Sequence, residues 1–411
     1  MNDHRSRILF LRFILLLFFG IYSLLATRSE AQTDSLSHRK KIIILHVNDM
    51  HSKIDNMAKL AYLADSLRQY NPFVFLVSAG DNFTGNPVVD QIPDIGYPMI
   101  DLMNRCGFNL SAVGNHEFDM GQEMLNKRMM QAAFRFICAN MDATGAVVKQ
   151  PEPYHVINAG KETDIAFLGL LQLDANGLPS THPSKVAGIR FINGIDKAQE
   201  YRHLAKEHDL LIALSHLGVD DDQALARAMP EFDVIIGGHT HTLLKAPIVE
   251  NGVTIVQTGA NLKVVGKLTL TLAGDSLVSV GEELISFADL KGENIILRQL
   301  IDQYNNNKEF SKVIGYAEKP LNGADELGSL MADALIHQLH ADIAFQNKGG
   351  IRVQSIDEGD ITLKELFQLD PFNNEVMLYS MNTEEIRSLI LYGYNLMKGI
   401  DLQVAGIHYR I

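Results

Sequence analysis

From Lys41 onward, short apolar runs alternate with stretches whose apolar residues recur at helical spacing. Few arrangements other than buried strands covered by helices satisfy that rhythm. Ile42–Val47, Phe73–Ala79, Leu110–Val113, Arg135–Cys138, Ile165–Leu171, Leu210–Leu214 and Val234–Ile236 read as strands. Met57–Tyr70, Pro98–Cys106 and Gly121–Gln131 read as helices between them. The rhythm then changes. Thr254–Gln257, Lys267–Leu272 and Leu277–Ser286 follow with few helices between them, as antiparallel strands do. The pattern predicts an α/β fold in which a mixed sheet sandwich is flanked by helices.

With 411 residues the chain is long enough for two or three domains. The first is expected over 41–288. Ile295–Asn305 reads as a polar helix ending in Asn305-Asn306-Asn307, a connector within 289–315. Leu327–Leu339, Ile343–Gln346, Leu363–Gln368, Glu375–Tyr379 and Thr383–Leu391 describe a second, smaller α/β unit over 316–411. Hydrophobic residues at 46% and charged residues at 21% fit a globular chain with a large core.

Residues 1–31 read as an address and not as part of the fold. Arg5, Arg7 and Arg12 precede a 14-residue apolar run from Phe13 to Ala26, shorter than the roughly 20 apolar residues of a spanning helix. Ser29-Glu30-Ala31 supplies small residues for cleavage after Ala31. This predicts an exported protein, periplasmic or extracellular, with no stable membrane anchor after cleavage. The formal charge of −13 argues against a nucleic-acid polymer as partner, since such binding needs a basic footprint. Cys106 and Cys138 read as two buried small hydrophobes, whereas 15 histidines point to metal chemistry.

That chemistry is expected where the strands end. Asn48-Asp49-Met50-His51 follows the first strand, Gly80-Asp81-Asn82 the second, and Gly114-Asn115-His116-Glu117-Phe118-Asp119 the third. Ser215-His216 and Gly237-Gly238-His239-Thr240-His241 follow two later ones. Open α/β sheets build their sites beyond the carboxyl ends of strands. Asp49 and His51, two apart, can share one side of an extended segment and suit one ion, with His241 as a further ligand. Asn115, His216 and His239 suit a second ion, and Asp81, with two carboxylate oxygens, can bridge both. Oxygen and nitrogen donors without thiolate favour two divalent ions such as zinc or manganese, with iron also compatible and magnesium disfavoured.

These blocks together resemble those of the calcineurin-like binuclear metallophosphoesterases. Within them the chain is similar to the 5'-nucleotidase family from about Lys41 to its end. The resemblance implies a four-layer αββα sandwich, followed here by a second α/β domain that would be incomplete, because family members continue beyond Tyr409-Arg410-Ile411. It implies Asp49, His51, Asp81 and His241 as ligands of one metal, and Asp81, Asn115, His216 and His239 as ligands of the other. His116 with Asp119 matches the family's catalytic pair.

Gln346-Asn347-Lys348-Gly349-Gly350-Ile351-Arg352 and Asp370-Pro371-Phe372-Asn373-Asn374 resemble the Asn-Gly-Gly-Gly-Ile-Arg and Pro-Phe-Gly-Asn motifs of the carboxy-terminal 5'-nucleotidase domain. Lys348 and Asn373 stand where the family has glycine. By this resemblance Asn347, Gly349, Gly350, Arg352, Phe372 and Asn374 would line a nucleoside site. Arg offers a planar donor fork to phosphate, and an aromatic ring can stack on a base. The reading is an exported two-metal phosphoric monoester hydrolase acting on small 5'-nucleotides. A hydrolase of nucleotide diphosphate-sugars or 2',3'-cyclic nucleotides is the alternative within enzymes. A non-catalytic nucleotide-binding surface protein is the alternative outside them.

Overall fold

The computed structural model describes residues 39–411 except Glu162, Asp275 and Asn373, so the expected signal segment over 1–31 lies outside the described residues. In chain order the strands of two large sheets are β1 (Arg39–Val47), β2 (Val74–Ser78), β3 (Leu110–Ala112), β4 (Arg135–Ile137), β5 (Tyr154–Asn158) and β6 (Asp164–Leu171). They continue as β7 (Leu210–His216), β8 (Val234–Ile236), β9 (Ile248–Glu250), β10 (Val253–Val256), β11 (Val264–Ala273) and β12 (Ser276–Ser286).

One sheet runs β12-β11-β1-β2-β3-β4, and the other β9-β10-β8-β7-β6-β5. The pairs β1/β2, β2/β3 and β3/β4 are parallel, as are β6/β7, β7/β8 and β8/β10. The strands β11 and β12 add to the first sheet as an antiparallel hairpin. Parallel strands are buried on both faces, so their sequences are near-continuous apolar runs. This is why Val74–Ser78 and Leu210–His216 are buried at every position.

The two sheets face each other across Ile42, Ile44, Val77, Ile165, Phe167, Ile212, Leu214, Val234 and Leu268. Helices Met57–Arg68 and Tyr97–Cys106 cover the outer face of the first sheet through Leu60, Ala64, Met99 and Met103. Helices Gly194–Gln199 and Val219–Ala228 cover the second through Ala198, Leu225 and Ala226. Four layers result, in the order αββα. Cys106 and Cys138 are free and buried within this body.

Helix Ile295–Asn305 is more than a connector. Leu297 and Ile301 are buried in the core that the first sheet shares with its helices. Beyond it, helix Gly323–Leu339 packs against strands Ala344–Asn347 and Leu402–Ala405 through Ala332, Ala344 and Ala405. A second small cluster joins Leu327, Ile351, Ile356 and Leu369. Glu375–Tyr379, read as an element from its apolar run, forms neither helix nor strand. A strand exists only through its ladder, and among the described residues none pairs with this segment; Val376, Met377, Leu378 and Tyr379 are exposed. Among the described residues no helix is long and apolar enough to cross a membrane.

Candidate metal centre

The carboxyl ends of β1, β2, β3, β7 and β8 converge on one point. Ligand atoms of Asp49, His51 and His241 lie within 4.8 Å of one another; so do those of His51, Asp81 and His116, and those of Asp81, His216 and His239. Asp81 and His51 each belong to two of the three groups, so the groups form one continuous cluster.

The loops reach this point through unusual backbone. Asp49, His51, Asp81, His239 and His241 all adopt positive φ, between 47° and 76°. Residues with a Cβ rarely occupy that region, and its strain gathers at functional sites. The expected extended segment carrying Asp49 and His51 is therefore corrected. A left-handed turn, not alternation along a strand, brings the two side chains together. Glycine spaces the neighbouring chain: a Cβ at Gly114 would stand 2.2 Å from Asp81 Oδ1, and one at Gly238 2.9 Å from His216 Nδ1.

Hydrogen bonds aim the donors. His216 Nδ1 donates to the Ala79 carbonyl at 2.6 Å, which leaves Nε2 directed at Asp81 Oδ2, 3.0 Å away. His51 Nδ1 donates to the Thr84 carbonyl at 3.1 Å, and its Nε2 faces His241 Nε2 at 2.9 Å. His241 Nε2 also stands 3.3 Å from Asp49 Oδ1. Asn115 Oδ1 lies 3.1 Å from His239 Nδ1 and 3.3 Å from His216 Nε2. The Asn115 side chain makes no cap hydrogen bond to the turn that follows it. Fixing one imidazole nitrogen with a carbonyl and turning the other inward is how proteins prepare histidine for a cation.

This arrangement tests the fit of a metal. Ring nitrogens and carboxylate oxygens, chiefly acceptors, crowd together in a buried space where only cationic charge can balance them. Asp49, His51, Asp81 and His216 are each at most 2% exposed. Burial would raise the Asp81 pKa, but His216 and His116 beside it hold it well below the ordinary carboxylate value. Burial and the neighbouring His216 push His239 down to about 4, keeping its imidazole neutral. The His and Asp cluster fits a binuclear divalent metal site.

His116 stands at the rim. Its Nδ1 is 2.6 Å from Asp119 Oδ2, and its Nε2 is 3.9 Å from Asp81 Oδ2. Burial lowers its pKa, but Asp119 and Asp81 outweigh burial and raise it. Two residues of the second domain arrive at the same rim. Arg352 Nη2 lies 3.2 Å from His51 Nε2, and its guanidinium is 5.4 Å from the Phe372 ring. Phe372 stacks on His116. Asn347, Gly349 and Gly350 share a turn after strand Ala344–Asn347, and Asn347 and Asn374 are exposed. No hydrogen bond among the described residues joins these four to the cluster.

The supporting residues were missed from sequence. Glu117 accepts from the backbone N–H groups of Asp81, Asn82 and Gly114 at 3.0, 2.8 and 2.6 Å, and from Asn82 Nδ2 at 2.9 Å. Asn48 donates to Asp49 Oδ2 at 2.6 Å while accepting from Thr258. Asp90 holds the loop after Asp81 through the N–H groups of Gly85 and Asn86, each at 2.7 Å. Asn48 and Glu117 carried no sequence signal beyond membership of the strand-end blocks, and Asp90 lies outside those blocks altogether.

The family model for calcineurin-like phosphoesterases matches residues 42–243, and the model for the 5'-nucleotidase C-terminal domain matches 311–411. The chain belongs to the family that joins these two domains. It is 29% identical to a 5'-nucleotidase of Vibrio cholerae over 84% of this chain and 74% of that protein. It is 27% identical to the trifunctional nucleotide phosphoesterase protein YfkN of Bacillus subtilis, matching 90% of this chain but only 29% of that longer protein. Among solved structures, a 5'-nucleotidase precursor from Thermus thermophilus superposes with a TM-score of 0.80 at 26% identity, covering 89% of this chain and 81% of that one. This chain is a metal-dependent phosphoesterase.

Proposed function

We propose that the protein is an exported 5'-nucleotidase, releasing phosphate from small nucleoside 5'-monophosphates. One observation carries this reading: Arg352 and Phe372, from a domain some 300 residues along the chain, meet the His and Asp cluster at its rim. A guanidinium and an aromatic face suit a phosphate and a base. Similarity to the 5'-nucleotidase of Vibrio cholerae supports the same substrate class.

In this reading Asp49, His51, Asp81 and His241 hold one divalent ion, and Asp81, Asn115, His216 and His239 hold the other. Zinc or manganese suits this donor set. When bound, such ions supply Lewis-acid polarisation of the phosphoryl oxygen and activation of a water. Arg352 draws the phosphate toward the cluster. His116, with Nδ1–H held by Asp119, presents Nε2 to the reacting group. Asp119 and Asp81 outweigh burial and raise its pKa, which favours the protonated ring that could give a proton to the departing ester oxygen. Phe372 closes over the ring of His116 and keeps water from that side. Asn347, Gly349, Gly350 and Asn374 would line the nucleoside end. Export rests on the basic and apolar segment before Ala31.

A broader nucleotide phosphoesterase is the second reading, favoured by similarity to a protein named trifunctional. The test assays the protein lacking residues 1–31, with zinc, manganese or chelator, against AMP, a 2',3'-cyclic nucleotide and UDP-glucose. Metal-dependent phosphate release from AMP at the highest kcat/KM supports the first reading. Faster cleavage of the cyclic or diphosphate substrate replaces it with the second. Metal bound without turnover on any substrate rejects both in favour of a binding protein.

A further inference from the structure

The segment from Gln172 to Phe191 leaves the sandwich after β6 and returns beside it. Both ends are tied to one side chain. Asn140, 1% exposed, accepts from Leu171 N at 2.9 Å and donates through Nδ2 to the carbonyls of Leu171 and Ile192 at 2.7 and 2.9 Å. Ile192 N in turn donates to the Asn140 carbonyl at 3.0 Å. The loop also starts against the metal centre, since Gln172 N donates to the carbonyl of His216 at 3.0 Å. Within it Asp174 Oδ1 accepts from Ser180 Oγ at 2.8 Å and from Gln172 Nε2 at 3.1 Å. Gln122 Nε2 supports its far side by donating to the Ala187 carbonyl at 2.9 Å.

So braced, the loop delivers two groups to the site. The Ser180 carbonyl accepts from Asn115 Nδ2 at 3.1 Å, which turns Asn115 Oδ1 toward His216 and His239. The Thr181 hydroxyl donates to Asp119 Oδ1 at 3.3 Å, while Oδ2 of the same carboxylate holds His116. With partners on both oxygens, the Asp119 carboxylate cannot rotate without breaking one of them. We propose that Thr181 is a positioning residue for phosphoester hydrolysis, fixing Asp119 and through it the His116 ring. The proposal rests on the reading above, in which His116 acts on the reacting group. Thr181 belongs to none of the three donor groups and reaches the site through Asp119. Its effect falls on turnover and not on binding.

Thr181→Val keeps the side-chain shape and removes the donor; Thr181→Ser keeps the donor and removes the methyl. Both are compared with His116→Ala and with the double variant His116→Ala/Thr181→Val, measuring kcat, KM and metal content with AMP. Thr181→Val is expected to lower kcat about tenfold, in line with loss of one hydrogen bond to a charged group, with KM and metal content within twofold of wild type. Thr181→Ser is expected to stay within threefold of wild type in kcat. In the His116→Ala background Thr181→Val is expected to change kcat by less than twofold, because the ring that Thr181 positions is gone. Wild-type kcat for Thr181→Val, an equal loss in Thr181→Ser, a loss of metal, or an undiminished effect in the double variant overturns the proposal. A His116→Ala protein as fast as wild type overturns the dyad itself, and Thr181 falls with it.

Discussion

Phe372 lies over His116 with ring centroids 5.6 Å apart and planes 23° from parallel. The two residues belong to different domains, so the second domain covers the rim of the metal centre. A ring that stacks on imidazole with one face has its other face of the kind that stacks on a base. Stacking of this kind is worth about 1–3 kcal/mol per base. Phe372→Ala is therefore expected to raise KM for AMP roughly tenfold. The control is ribose 5-phosphate, which has no base: its KM should move less than twofold. Equal effects on both substrates would assign Phe372 to closing the site and not to the base.

His116 and Asp81 lie close together but are expected to fail differently. His116→Ala removes the group held by Asp119 at 2.6 Å and leaves the remaining donors in place. A fall in kcat of about 10²–10⁴-fold is expected, the usual range for a placed proton-transfer group. Metal content, measured by elemental analysis, stays at the wild-type value. Activity within threefold of wild type would remove His116 from the chemistry.

Asp81 occupies two of the three donor groups, and its Oδ1 also accepts from His116 N at 2.9 Å. Asp81→Asn keeps the shape but loses the charge and one acceptor oxygen. The expected result is loss of bound metal, with activity falling in parallel and partly returning at high added zinc or manganese. Two ions retained per chain would reject the bridging role.

Much of this site was legible because its parts are tied to regular structure. Asp81, Asn115 and His239 follow, and His216 ends, buried strands whose apolar runs are plain, and parallel strands leave their carboxyl ends on one edge. The approach of Asp49 to His51 was not legible. Two residues apart suggests a shared strand face, whereas φ of 49° and 47° shows a left-handed turn that composition does not signal in Asp or His. The Glu375–Tyr379 segment failed for another reason. Its apolar run fits a strand, but pairing is decided by neighbours that a local pattern does not contain. The loop carrying Thr181 was invisible because its value lies in where Asn140 ties it, and Asn140 carries no motif.

Glu117 is the clearest case of a motif residue whose task only geometry reveals. It is fully buried, yet among the described residues no ion pair holds it; instead its two oxygens collect three backbone N–H groups and the Asn82 amide. Those N–H groups belong to Asp81, Asn82 and Gly114, so one carboxylate joins the turn after β2 to the turn after β3. Glu117→Ala would leave these donors buried without acceptors, at about 1–3 kcal/mol for each group left unsatisfied. It would also release the Asp81 turn from its left-handed conformation. The expected outcome is an unfolding free energy lowered by on the order of 3 kcal/mol or more, read as a lower urea midpoint at unchanged m, together with weaker metal retention. Glu117→Gln keeps an acceptor oxygen and replaces the other with donors that face backbone N–H, so it should lose stability too. If Glu117→Ala unfolds at the wild-type urea concentration, the cradle contributes nothing and Asp81 is held in its turn by the other contacts of that loop.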